Sequence, residues 1–324
     1  MSDDSVRLGW WLSSEELDPR RLVTDAVRAE SIGCPTAMIS DHLRPWVRRQ
    51  GQASHVWSVV GAIMHATSSL ELGTGVVSMV HRNNPIAVAQ AAATAAVMSE
   101  DRFFLGVGTG ERLNEQALGE RWPSSGERLD RLVEAVEVIR RLWSGESVNH
   151  RGESWNVEKL SLFTRPATAP PVYVAASGKR SAAVAGEHGD GMIAVAADHQ
   201  VVEVFRGSGG TGKPCVAQLH VSLAGSKDGA VDNAWEWWPH GVVPPTLLGE
   251  LSQPQEFEAA ASAIGRNPIT DTVVCTTDAG DVVAAIDRFV AAGFDTVYLH
   301  QVGEDQDRLA EMLSSELLPH YASG

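Results

Sequence analysis

The sequence predicts an α/β protein built as a (β/α)8 TIM barrel with insertions in the loops after its strands. Three observations carry this expectation. Its 324 residues suit two average domains or one large barrel. Its composition, 44% hydrophobic and 21% charged with 30 glycines and 15 prolines, is that of an ordinary globular chain and excludes disorder, collagen and disulfide scaffolds. Its first half alternates short apolar runs with helix-patterned stretches, the βαβα rhythm of a parallel sheet.

Residues 6–11 (VRLGWW) read as the first strand, and 19–33 as a helix opened by Pro19 and closed by Gly33, the asymmetry expected of helix ends. Residues 36–40 form the second strand, followed by a loop that carries DHLRPW. Residues 57–67 make a helix, 70–75 the third strand, and 85–98 an Ala-rich helix that again has Pro at its start. Residues 102–107 give the fourth strand. In 127–143, Leu129, Leu132, Val133, Val136, Ile139 and Leu142 fall at helical spacing, and a loop follows. Residues 171–175, 191–196, 216–223 and 296–300 supply four further strands. Eight parallel strands with intervening helices close a barrel whose chemistry gathers in the loops after the strands. An open doubly wound sheet is the competing arrangement. A single domain over residues 1–324 accommodates these elements, and the only low-complexity tract is GSGGTG at 207–212.

A net charge of −15 repels phosphate backbones, so nucleic acid is not an expected partner. The dense basic stretch RPWVRR at 44–49 is either an attractor for a small anion or a solvated loop face. No apolar run is long enough to cross a bilayer; the longest, 87–98, is interrupted by Gln90 and Thr94 and reads as a buried helix. Residues 1–6 are short and acidic and lack the basic-then-apolar order of a secretory signal, which makes the cytoplasm the expected location. Cys34, Cys215 and Cys275 are odd in number, widely spaced and outside any CxxC, so they are expected to be reduced core residues, and no metal site is expected.

Two glycine-rich stretches invite a nucleotide reading. GSGGTGKP at 207–214 has P-loop spacing, but Pro214 stands where a magnesium-binding hydroxyl is required, and the stretch neither follows a strand nor opens a helix. A flexible loop is expected there. GVGTGE at 106–111 follows a strand but departs from GxGxxG spacing, and its glycines are expected to clear side-chain bulk at the mouth of a barrel strand.

The C-terminal ends of successive strands are more informative. Glu15 comes after the first strand; Asp41, His42 and Trp46 after the second; Gly75 and Val76 end the third; Thr109, Glu111 and Asn114 come after the fourth. Singly, such a His is more often structural and such a Trp more often core. Together at one barrel face, a His near neutral pKa, carboxyls whose pKa burial can raise and an apolar wall are what proton transfer coupled to hydride transfer needs.

The strings SDHLRPW (40–46), LGTGVVS (72–78), RNNP (82–85), FLGVGTGERLNE (104–115), RLWSGE (141–146), VYVAASG (172–178) and AGEHGDGMI (185–193) resemble the bacterial luciferase-like superfamily. They are more similar to its branch that uses the deazaflavin coenzyme F420, typified by F420-dependent glucose-6-phosphate dehydrogenase. The resemblance implies a (β/α)8 barrel, a homodimer, and a cofactor bound across the C-terminal strand ends. It implies that His42 exchanges the substrate proton, that Glu111 serves the proton of a deazaflavin ring nitrogen, and that Trp46 and Glu15 line the reacting centre. Asp41 would orient the cofactor, Gly75 and Val76 would share a non-proline cis peptide, and Thr109, Gly110, Asn114, Ala176, Ser177 and Gly178 match cofactor-contacting positions. Lys179 and Arg180 are next in the chain, either as further phosphate contacts or as a solvated helix turn.

The sequence also departs from that branch. The two lysines and one arginine that hold a sugar phosphate fall at Asp198, near Ala259 and near Thr272, leaving no cation. An Asp facing a phosphate dianion is repulsive, so glucose 6-phosphate is not the expected substrate. The helix after the sixth strand looks trimmed, with 199–206 running straight into the Gly-rich stretch. Trp235, Trp237, Trp238, Pro239 and His240 form an aromatic cluster that is a candidate to wall an uncharged, bulky or ring-containing substrate, with core packing as the alternative. The expected function is hydride transfer between F420 and an unphosphorylated small molecule, alcohol to carbonyl or the reverse. Alternatives are an F420H2-dependent reductase of C=N or C=C bonds in a natural-product intermediate, an FMN-dependent monooxygenase, and a non-catalytic F420-binding protein.

Overall fold

Eight parallel strands close on themselves in the computed structural model, which describes residues 6–322. The strands in chain order are β1 (Arg7–Leu12), β2 (Thr36–Ile39), β3 (Glu71–Thr74), β4 (Val77–Ser78), β5 (Phe103–Gly108), β6 (Val148–Arg151), β7 (Asn156–Leu160), β8 (Val172–Ala175), β9 (Gly191–Ala194), β10 (Cys215–Leu223), β11 (Val274–Thr276) and β12 (Thr296–Gln301). The ring runs β1–β2–β3–β5–β8–β9–β10–β12 and returns to β1, which excludes the open doubly wound sheet. Each predicted strand is one of these eight, to within a few residues at its ends. Residues 1–5, most of the segment read for a signal, lie outside the described residues.

The predicted helices also form: α1 (Pro19–Ser31), α2 (Val56–Ala66), α3 (Pro85–Ser99) and, after the short α4 (Arg112–Glu115), α5 (Ser125–Trp143). Their starts have local causes. The Asp18 carboxylate accepts from the Arg20 and Arg21 N–H groups, Asn84 accepts from Ile86, and Ser124 and Glu127 form a reciprocal capping box. Beyond β8 come α6 (Lys179–His188), α7 (His199–Phe205), α8 (Lys227–Trp237), α9 (Pro245–Leu248), α10 (Pro254–Ile264), α11 (Ala279–Ala292), α12 (Asp307–Met312) and α13 (Leu318–Ala322). The main apolar core lies between these helices and the outer faces of the strands. A second cluster, Trp11, Met38, Phe104, Ile193, Val216 and Tyr298, fills the barrel itself. Glycines make room for it: a Cβ at Gly9 would lie 2.4 Å from the Tyr298 ring, and one at Gly73 1.9 Å from Phe104.

Three expectations are corrected. The segment after α5 is an antiparallel hairpin, β6 with β7, whose turn is held by Glu134 accepting from the Ser154 and Trp155 N–H groups. The Gly-rich stretch is a pinned joint: after the short α7 the chain leaves helical geometry at Ser208 and Gly209, and Lys213 Nζ donates to the carbonyls of Gly186 and Gly189. That lysine is spent on the end of α6, as no P-loop lysine would be. The cations of the 44–49 stretch are committed to protein neighbours: Arg48 to Glu258, Arg49 to Glu236 and the Trp237 ring, Arg44 to the Ser252 carbonyl. They fasten the β2 loop to α8 and α10. The three cysteines are free and buried, and no helix among the described residues is long and apolar enough to cross a membrane.

Candidate active site

The loops after β1, β2 and β5 meet around one imidazole. Residues Ser13–Leu17 form a turn, closed by Leu17 N–H to Ser13 O, that sends two adjacent carboxylates to different partners. Glu15 faces His42, with Nε2 to Oε1 at 3.4 Å, whereas Glu16 faces His300, with Nε2 to Oε2 at 2.6 Å. From the β5 loop, Glu111 Oε2 comes to 3.7 Å from the same His42 nitrogen. The His42 side chain is only 10% exposed.

These two carboxyls hold protons differently. Burial alone would raise Glu15, but the His42 ring, the Ser40 hydroxyl and His300 together bring it below its ordinary value. The crowded cleft desolvates Glu111, whose side chain is 39% exposed, and pushes it up to about 7; His42 opposes that, and Glu15 and Glu115 add to it. One carboxylate stays ionised beside the ring while another titrates near neutrality, a pairing suited to moving one proton.

The glycines of the β5 segment seat a kink in the neighbouring strand. The Gly75–Val76 peptide is cis, as the resemblance implied, and it separates β3 from β4. A Cβ on Gly106 would lie 1.9 Å from the Thr74 carbonyl oxygen, one on Gly108 2.7 Å from Val76, and one on Gly110, whose φ is +67°, 2.4 Å from Ser78 Oγ. Asp41 is buried beside this kink, its carboxylate 2.5 Å from Arg82 and its carbonyl accepting from the same guanidinium. Glu115 Oε2 accepts the His81 and Arg82 N–H groups. Ser78 Oγ, Arg82 Nε and Glu115 Oε1 are buried there without partners. Orphaned polar atoms next to a cradle that a Cβ would fill suit a polar planar cofactor that brings its own hydrogen-bonding groups. Thr109 and Gly110 are half buried on the same loop. Ala176 is buried after β8, and the Ser177 and Gly178 N–H groups converge on Ser181 Oγ, with Lys179 and Arg180 exposed in the first turn of α6.

The remaining expected residues fall unevenly. Trp46 lies beside His42, ring centroids 5.1 Å apart. Trp238 is buried against His220, His240 and His300. Trp237 is packed under Arg49 and Trp235 is half buried outside these ring contacts, so Trp238 alone of the three joins the wall. Their adjacency on one helix turn forces that divergence. Asp198 is the exposed N-cap of α7, accepting from the Gln200 and Val201 N–H groups. Its role here is to start a helix. Asn114, expected on the cofactor, is 4% exposed and turned toward His42.

Two histidines outside the sequence-based expectations, His220 and His300, complete the inner half of the site beside His240 of the expected aromatic cluster. His220 and His300 sit opposite each other in register on β10 and β12, rings 5.0 Å apart, and Gln218 joins His300 Nδ1 at 3.0 Å. His240 stacks on Trp46 at 4.9 Å and 9°, with neither ring nitrogen hydrogen-bonded. Burial holds His220 and His240 well below the ordinary histidine pKa, aided by neighbouring imidazoles, so both are neutral at pH 7. Histidines near the ends of two apolar strands were the available signal.

Comparison with known proteins agrees with this architecture. The model of the luciferase-like monooxygenase family matches residues 4–296. The F420-dependent glucose-6-phosphate dehydrogenase of Intrasporangium calvum is 35% identical, aligned over 97% of this chain and 98% of its own; that of Segniliparus rotundus is 34% identical over 98% of each. A solved F420-dependent secondary alcohol dehydrogenase, in complex with an F420–acetone adduct, superposes with a TM-score of 0.89 at 28% identity, covering 96% of this chain and 97% of that one.

Proposed function

The chain belongs to the luciferase-like family, and we propose that it is an F420-dependent oxidoreductase that moves a hydride between the deazaflavin and an unphosphorylated small molecule. Relatives dependent on F420, aligned over nearly the whole chain, support the cofactor. The observation that carries the chemistry is the convergence of Glu15 and Glu111 on one nitrogen of His42. When bound, the deazaflavin supplies hydride exchange at C5. Asp41, Gly75, Val76, Thr109, Gly110, Asn114, Ala176, Ser177 and Gly178 are the residues that would hold it. His42 and Glu111 handle the proton, Glu15 keeps the ring oriented, and Trp46 excludes water from one side.

The substrate wall is aromatic and neutral. Trp46, Trp238 and His240 stack into it, and the positions where a phosphate clamp would stand are the Asp198 helix cap and the exposed Ala259 and Thr272. This favours an uncharged alcohol, ketone, imine or enone over a sugar phosphate. A homodimer belongs to the same reading. The test is turnover: secondary and cyclic alcohols with F420, and matching ketones, imines and enones with F420H2, followed by deazaflavin absorbance. Turnover of members of this panel and none of glucose 6-phosphate is expected; turnover of glucose 6-phosphate alone would overturn the substrate assignment.

A further inference from the structure

We infer that Asn114 is a positioning residue that places the proton of neutral His42 on Nε2, the nitrogen that Glu15 and Glu111 face. The inference rests on the reading of His42 as the residue at the reacting centre. Asn114 Oδ1 lies 2.9 Å from the Leu43 nitrogen and 3.2 Å from the Arg44 nitrogen. Both are backbone N–H groups that can only donate, so the atom they meet is the amide oxygen. The amide NH2 is thereby turned to His42 Nδ1, at 3.2 Å. An NH2 group has no lone pair to offer, so Nδ1 must present its own and the ring proton resides on Nε2.

The other side of the ring agrees. Nε2 faces Glu15 at 3.4 Å, and an ionised carboxylate there favours an N–H over a lone pair. One competitor is present: the Arg44 carbonyl, 3.2 Å from Nδ1, would accept a proton placed on that nitrogen. Asn114 and the Arg44 carbonyl thus favour opposite tautomers, and the locked amide with the Glu15 carboxylate decides between them.

The test reads the ring directly and needs neither cofactor nor substrate. The full-length protein, labelled with 15N-histidine, is examined by long-range proton–nitrogen correlation at a pH where His42 is neutral, with His42→Gln used to assign the signal. Wild type is expected to show protonated Nε2 and bare Nδ1. Asn114→Asp keeps an oxygen for Leu43 and Arg44 and puts a second one opposite Nδ1, so the proton is expected to move to Nδ1. Asn114→Leu leaves the Arg44 carbonyl as the sole Nδ1 partner and is expected to shift the proton the same way. A wild-type ring protonated on Nδ1, or an Asn114→Asp pattern identical to wild type, overturns the inference. F420 titration of the same samples keeps the two readings apart, since failure to bind F420 would remove the proposed function and leave the tautomer result standing.

Discussion

His42 Nε2 lies 3.4 Å from Glu15 Oε1, in a pocket where Ser13, Ser14 and Ser40 hydroxyls all point at the other oxygen of that carboxylate. The carboxylate is saturated on one side and committed to the imidazole on the other. Replacing His42 by Ala removes the group that the site is built around while leaving the β3–β4 kink and the β8 loop intact. Hydride transfer is expected to fall by roughly 10²–10⁴-fold or to vanish, with F420 affinity changed little. Single-turnover absorbance and fluorescence titration measure the two. Wild-type turnover in His42→Ala would remove this residue from the mechanism.

Glu111 makes stability depend on pH. Its carboxyl titrates at about 7 in the folded chain against an ordinary value of 4.5, so between those values the folded state binds the additional proton. The associated stability is fully present below the unfolded value and is lost as pH rises through 7. Glu111→Gln, which cannot ionise, is expected to melt at a higher temperature than wild type at pH 8 and close to wild type at pH 4.5, while losing the activity step near pH 7. A variant that melts lower than wild type at pH 8 contradicts the assignment.

Asp198 separates a capping role from a substrate role. Asp198→Lys removes the side chain that accepts the Gln200 and Val201 N–H groups and is expected to cost about 0.5–2 kcal/mol in chemical denaturation. It is not expected to create glucose 6-phosphate activity, because two other cations are also absent. Sugar-phosphate turnover in this single variant would show that the clamp needs one charge only.

Gly106 tests the packing under the kink. Its hydrogen-bonded approach to Thr74 leaves no space for a methyl group, and the obstacle is backbone. Gly106→Ala is expected to destabilise by about 1–3 kcal/mol, seen as a lower urea midpoint at unchanged slope, and to weaken F420 binding if the kink carries the ring. An unchanged midpoint would mean that the kink relaxes freely.

The barrel and the outer half of the site were legible because their signals are local. Strand runs, Pro19 and Pro85 at helix starts, and the consecutive Asp41 and His42 after β2 all announce themselves within a few residues. What escaped depends on contacts between distant segments. His220 and His300 come together only through the β10–β12 register, and Glu16 reaches His300 across 284 positions of sequence. The β6–β7 hairpin carries polar residues on both strands and depends on Glu134 from α5, so periodicity alone did not reveal it. Asp198 matches a phosphate-clamp position by resemblance, whereas its local signal, an acidic residue just ahead of a helix, describes the cap that the structure shows.

The roles of His42 and Glu111 depend on the cofactor, and one titration addresses it most directly: purified protein against F420 and, separately, FMN, followed by cofactor fluorescence. Saturable binding of F420 at low micromolar concentration without binding of FMN is the predicted result. Tight FMN binding with no response to F420 would contradict it, place the chain with flavin monooxygenases, and leave His42 and Glu111 without the roles assigned to them.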